Sequence, residues 1–180
     1  LWSGIHIGEG DHCAEIGSSP GGACQLLLEK GADVIAIDPA ELDESLADHP
    51  KLTYLRCRGR EVAKKRLKDV QWLLCDINVA PSFTLDVVEE IVTNQHVNRI
   101  RGLILTLKLA DWRLAEEIVG WQERIRKLGF KTVKTRQLAF NRREICLVAV
   151  RDRFALRESR KGRRAAETEK PRRDRDAPSA

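Results

Sequence analysis

The 180 residues predict an α/β fold, a mostly parallel seven-stranded sheet with an antiparallel last strand. Three observations predict it. Apolar runs of strand length alternate with amphipathic stretches of helical period. The run Leu103-Ile104-Leu105-Thr106-Leu107 is continuous, as a parallel strand covered on both faces requires. The last two apolar runs have no helical stretch between them, so they pair as an antiparallel hairpin at one sheet edge.

The elements follow in order. A strand near Cys13 to Ile16 leads into a helix from Gly21 to Lys30 with Gly31 as its stop, and a second strand runs from Val34 to Ile37 and ends at Asp38. A short helical stretch from Ala40 to Ala47 precedes Pro50, and Leu52 to Leu55 is the third strand. Val70 to Cys75, ending in Asp76, is the fourth. Leu85 to Thr93 is a helix with Val87, Val88, Ile91 and Val92 on its buried side. The fifth strand ends in Lys108. Leu114, Ile118, Trp121, Ile125 and Leu128 then form one buried stripe on a helix stopped by Gly129. Phe130 to Arg136 and Ile145 to Val150 are the closing strands.

Composition points to one domain, residues 1–151, followed by a basic, disordered tail, 152–180. From Arg151 to Ala180 there are 11 Lys/Arg against 6 Asp/Glu, which accounts for the whole formal excess of +5. Such a tail is either a solvated end or an arm that attracts RNA phosphates without sequence preference. The basic segment Arg56, Arg58, Arg60, Lys64, Lys65, Arg66 and Lys68 has the same two readings, with a solvated face favoured. The five cysteines, Cys13, Cys24, Cys57, Cys75 and Cys146, are never spaced C-x-x-C and read as reduced packing residues, with no metal site expected. No apolar run reaches the length of a membrane span and no signal-peptide pattern opens the chain, which predicts a cytoplasmic protein. Methionine is absent, position 1 included, which reads as a truncated or misassigned start.

The stretch Glu15-Ile16-Gly17-Ser18-Ser19-Pro20-Gly21-Gly22 joins a strand to a helix through a loop too small to hide its backbone. Pro20 sets a bend, Gly21 and Gly22 let a ligand approach, and the N–H groups at the helix start face it, as a nucleoside cofactor requires. Asp38 then supplies a carboxylate acceptor for a ribose diol. Open α/β sheets bind ligands beyond the carboxyl ends of their strands, so the residues ending apolar runs come next: Asp76, Lys108 and, because the last strand runs in reverse, Glu144 at its beginning. A lysine between two carboxylates is a structural ion-pair cluster or a catalytic group. Facing a cofactor loop, the catalytic reading is favoured, with the carboxylates orienting the lysine.

The segments Glu15 to Gly22, Cys75-Asp76, Thr106-Leu107-Lys108-Leu109 and Arg136-Gln137-Leu138-Ala139-Phe140-Asn141-Arg142-Arg143-Glu144 together resemble the FtsJ-like ribose 2′-O-methyltransferases, in particular the RlmM-type branch that acts on a cytidine of 23S ribosomal RNA. The resemblance spans roughly Trp2 to Arg151. It implies a Rossmann-like methyltransferase sheet, S-adenosylmethionine as cofactor, and large-subunit ribosomal RNA as partner. It further implies that Glu15, Gly17, Ser19, Pro20, Gly21, Gly22, Asp38 and Asp76 bind the cofactor. Lys108 is implied as proton acceptor for the 2′-hydroxyl, with Asp76 and Glu144 completing the catalytic set.

Three departures accompany the resemblance. The family's first catalytic lysine lies upstream of the cofactor loop, where this chain has no lysine before Lys30. Arg58 stands where an acidic residue contacts adenosine, and no THUMP-type RNA-binding region is read. They motivate an alternative, a cofactor- or RNA-binding module without turnover. A nicotinamide dehydrogenase is disfavoured because the loop reads E-x-G-x-x-x-G rather than G-x-G-x-x-G.

Overall fold

The computed structural model describes residues 4–137 and 143–151. Its strands are β1 (His12–Ile16), β2 (Asp33–Ile37), β3 (Leu52–Leu55), β4 (Trp72–Cys75), β5 (Gly102–Lys108), β6 (Thr132–Gln137) and β7 (Glu144–Val150), in the sheet order β3-β2-β1-β4-β5-β7-β6. Every pairing is parallel except those made by β7, which runs antiparallel to both β5 and β6. The expected edge hairpin is therefore present, with its second strand inserted beside β5. The basic tail from 152 and the motif residues 138–142 lie outside the described residues.

Alternating side chains separate two cores. Leu147 and Ala149 of β7 join the cluster under α2 (Pro81–Val92) and α3 (Ile118–Lys127), whereas Val148 and Val150 join the cluster under α1 (Gly22–Glu29). The same alternation puts Ala14 and Ile16 on the first face and Cys13 on the second. Leu85, Val88 and Ile91 are fully buried on α2, each worth about 1.5–3 kcal/mol of transfer free energy.

Helix boundaries differ from expectation for identifiable reasons. The second major helix begins at Pro81 rather than Leu85, because proline fits the first helical turn, whose N–H has no intrahelical partner. Of Ala40 to Ala47 only Glu44–Leu46 is helical, a 3-10 turn. Asp43 caps it through Ser45 N at 2.9 Å, and its own N–H is taken by Pro20 O at 2.8 Å, which ties this segment to the loop after β1 instead. The helix expected from Leu114 opens as a 3-10 segment, Trp112–Glu117, where Asp111 accepts from Arg113 N at 2.8 Å. A further 3-10 turn, Lys64–Leu67, falls in the basic segment and buries Leu67.

Part of that basic segment is paired. Lys64 meets Glu90 at 2.9 Å, Arg60 faces Asp86 at 3.7 Å, and Arg56 meets Glu41 at 3.0 Å, so these charges line helix and loop surfaces. All five cysteines are free thiols. Burial pushes Cys13 and Cys75 up to about 12, so neither is a thiolate at neutral pH. Among the described residues no helix is long and apolar enough to cross a membrane.

Candidate active site

Strand order reverses between β1 and β4, and there the two carboxyl ends lie side by side. Gly17 N donates to Ile37 O at 2.9 Å, and Asp76 N donates to Ile16 O at 2.9 Å. Gly17 adopts φ +80°, and a Cβ on it would stand 2.2 Å from the carbonyl oxygen of Asp76. Glycine is demanded here by the neighbouring strand end, not by a ligand. A cavity of about 680 Å³ opens beyond this point, within the range of small-molecule sites. Gly17, Ser19, Asp38 and Asp76 line it.

Asp38 is positioned by backbone donors. Ser19 N reaches its Oδ2 at 3.2 Å and Ala40 N its Oδ1 at 2.8 Å. The Tyr54 hydroxyl donates to Asp38 O at 3.1 Å and also to Ala40 O, while Ser19 Oγ donates to Glu41 O at 2.8 Å. The loops after β1 and β2 therefore hold one another, with a carboxylate fixed between them.

The remaining loop residues do not line the cavity. Gly21, expected to admit a ligand, has φ +121°, and a Cβ there would stand 2.4 Å from Leu46 Cδ1, so an apolar side chain of the protein fills that space. Gly22 opens α1 with nothing within 4 Å of its Cβ position, and Pro20 lends its carbonyl to Asp43 N. Glu15 points to the opposite side of β1. It is 4% exposed, accepts from Cys24 Sγ at 2.9 Å, and burial pushes its carboxyl up to about 7 against the opposing Cys24 bond. Ser18 is buried in the same loop, and its hydroxyl has no hydrogen-bond partner among the described residues.

Asp76, Lys108 and Glu144 converge as expected. Antiparallel register sets Lys108 directly opposite Glu144, and Lys108 Nζ lies 2.7 Å from Glu144 Oε1 and 2.7 Å from Asp76 Oδ1. Partial burial draws the Lys108 pKa down, but the hydrogen bonds and charges of Asp76 and Glu144 outweigh it and leave the pKa raised. The resting group is an ammonium. Asp76 is shared, forming cavity wall on one side and lysine partner on the other.

A family model described as FtsJ-like methyltransferase matches residues 3–154. The chain belongs to the FtsJ-like methyltransferase family. The ribosomal RNA large subunit methyltransferase M of Halorhodospira halophila is 30% identical over 142 residues, covering 79% of this chain and 40% of that protein. Its counterpart in Yersinia pestis is 27% identical over 145 residues, covering 77% and 38%. The chain thus spans about two-fifths of the length of the curated relatives it matches. Two solved structures each have a TM-score of 0.58 at 14% identity and share the fold. One is a Burkholderia thailandensis 1,6-didemethyltoxoflavin-N1-methyltransferase with bound S-adenosylhomocysteine, covering 79% of this chain and 72% of that one. The other is the W203A mutant of a 16S rRNA (adenine(1408)-N(1))-methyltransferase from Catenulisporales acidiphilia with S-adenosylmethionine, covering 79% and 85%.

Beside Arg58, the cavity wall of this FtsJ-like domain also holds Glu61 and Phe83, which no sequence pattern singles out, and Arg60, expected on a solvated face. Arg60 lies 4.2 Å over the Phe83 ring, which is 40% exposed. The available signal was positional, since Arg58 to Glu61 follow β3 and so stand at the same strand-end edge as Asp38 and Asp76.

Proposed function

We propose that this FtsJ-like domain is an S-adenosylmethionine-dependent ribose 2′-O-methyltransferase acting in the cytoplasm on a cytidine of large-subunit ribosomal RNA. One observation carries the reading: Asp76 belongs both to the wall of the nucleoside-sized cavity and to the ion cluster around Lys108. A single carboxylate thereby joins a donor pocket to an acceptor site. The names of the relatives at 27–30% identity support a ribosomal RNA substrate.

The residues present fit the cofactor. Asp38, held by two backbone N–H groups, keeps acceptor capacity for a ribose diol, Gly17 and Ser19 supply a close backbone wall, and the buried Ser18 hydroxyl leaves an unused donor nearby. S-adenosylmethionine, when bound, supplies an electrophilic methyl group. Lys108 is assigned to the substrate 2′-hydroxyl as proton acceptor. Since Asp76 and Glu144 hold it as an ammonium, it takes up the hydroxyl proton only in the fraction of molecules in which it has first lost a proton to solvent water, the two carboxylates orienting the amine. Positioning of the 2′-oxygen supplies much of the acceleration.

The ammonium state of Lys108 also favours a second reading, a binding module without turnover. Methyl transfer from labelled cofactor to 23S ribosomal RNA separates the two. The enzyme reading expects transfer by the native chain, its loss in Lys108→Ala, and retained cofactor binding in that variant. Undiminished transfer by Lys108→Ala would remove Lys108 from the chemistry.

A further inference from the structure

Trp112 is 48% exposed on the loop that leaves β5 just past Lys108, and nothing above gives it a task. The other large apolar side chains at the surface are unlike it. Leu26 and Val119 are lone aliphatic groups on α1 and α3, of a kind that needs no explanation. Among the described residues Phe83 and Phe130 each have an arginine over the ring, at 4.2 and 4.5 Å, whereas no cation lies over Trp112. Its indole face is open.

The loop is fixed to the acceptor side of the site. Leu109 N donates to Arg143 O at 2.7 Å, and Arg143 Nη1 donates to Ala110 O at 3.2 Å, so it is bound to the residue before Glu144. Asp111 holds Arg113 through its guanidinium at 2.7 Å as well as through its N–H. In a 3-10 segment side chains three apart eclipse, so Trp112, Ala115 and Ile118 form one row. Ala115 and Ile118 pack against the core beneath the sheet. Trp112 heads that row on the sheet side of the segment, beyond the strand end that carries Lys108. Around it Arg113 and Arg143, both exposed, outnumber Asp111 and leave the loop positive.

We infer that Trp112 stacks on an unpaired base of the RNA substrate and so holds the neighbouring ribose at Lys108. The inference rests on the function proposed above. An indole offers a flat apolar face to any base, while the arginines beside it attract the phosphates on either side. A base within a duplex is already covered on both faces, so the occupant is a single-stranded segment. Trp112 is a positioning residue for the acceptor, as Asp38 is for the donor.

Titration of the full chain with single-stranded oligocytidylate, followed by tryptophan emission, tests this. The difference between the native chain and Trp112→Phe isolates the signal of residue 112, since Trp72 and Trp121 are buried. That signal should be quenched by oligocytidylate and left unchanged by a fully paired RNA duplex. Trp112→Ala should weaken oligocytidylate binding by about 5- to 150-fold and Trp112→Phe by less than about threefold, with the salt dependence unchanged in both. Binding of S-adenosylhomocysteine should stay within about twofold in Trp112→Ala, because Trp112 lies outside the cavity wall and its 3-10 segment buries no side chain. A native chain that binds oligocytidylate without quenching at residue 112, or no more tightly than Trp112→Ala, or that is quenched equally by the duplex, overturns the assignment of Trp112 alone. A folded native chain that binds neither oligocytidylate nor 23S ribosomal RNA overturns the proposed function, and this inference with it.

Discussion

Lys108 Nζ sits 2.7 Å from Asp76 Oδ1, closing the gap between the end of β5 and the end of β4. Glu144 completes the pair of carboxylates from the opposite strand. With its pKa raised above the ordinary 10.5, the lysine is almost wholly protonated at pH 7. Methyl transfer that uses its free amine should therefore climb with pH between 7 and 10, by up to tenfold per unit for a single proton. In Asp76→Asn or Glu144→Gln the burial of Lys108 is less opposed, its pKa falls, and the rise should move to lower pH. A flat profile in the native chain, measured by single-turnover transfer, counts against the amine.

Glu15 and Cys24 make stability pH-dependent in a definite direction. Burial raises Glu15 from its ordinary 4.5 to about 7, so between these values the folded state holds a proton that the unfolded chain has released. The stabilisation is full below about 4.5 and is lost as pH rises through about 7, with a slope approaching about 1.4 kcal/mol per pH unit. Denaturant unfolding at pH 5, 6, 7 and 8 should show this decline in the native chain and a shallower one in Glu15→Gln. Parallel declines would mean that Glu15 ionises normally.

Gly17 and Gly10 separate backbone strain from collision. Both have positive φ, +80° and +77°, but only Gly17 has a backbone atom in the way of a Cβ. Gly10→Ala should cost about 1 kcal/mol. Gly17→Ala should cost about 3 kcal/mol, a fall of roughly 6–12 °C in Tm for a chain of this size. Equal losses in thermal unfolding would show that the approach of Asp76 O is relieved by a small shift.

Asp38→Ala should weaken S-adenosylhomocysteine binding by about tenfold or more, through loss of a fixed carboxylate and of the loop bonds to Ser19 N and Ala40 N. Asp43→Ala, which removes a cap on the far side of the same loop, should leave binding within about twofold. Calorimetry on both variants checks the pair.

The sheet was legible because periodicity survives in side chains that face a core. Leu103 to Leu107 reads as a strand buried on both faces, and the absence of a helix between the last two strands is a hairpin. Asp38, Asp76, Lys108 and Glu144 were legible for a geometric reason: strand ends of a parallel sheet meet at one edge, and a reversed strand begins there. Arg60 and Glu61 follow β3 at the same edge, but they sit several residues past the strand end on a loop without period, where position alone does not show which polar side chain lines the cavity. Gly21 misled because a glycine that admits Leu46 and one that admits a ligand look the same in sequence. The 3-10 turn at Glu44–Leu46 depends on the Asp43 side-chain cap, and both it and Lys64–Leu67 on burial of single leucines, which leave no repeat to read.

The most direct test locates the methyl group. Large-subunit ribosomal RNA incubated with the chain and isotope-labelled S-adenosylmethionine is digested to nucleosides and resolved by mass spectrometry. Label is expected on the ribose of 2′-O-methylcytidine and is expected to be absent from the Lys108→Ala reaction. Label on a base, or no label from a chain that binds the cofactor, would contradict it.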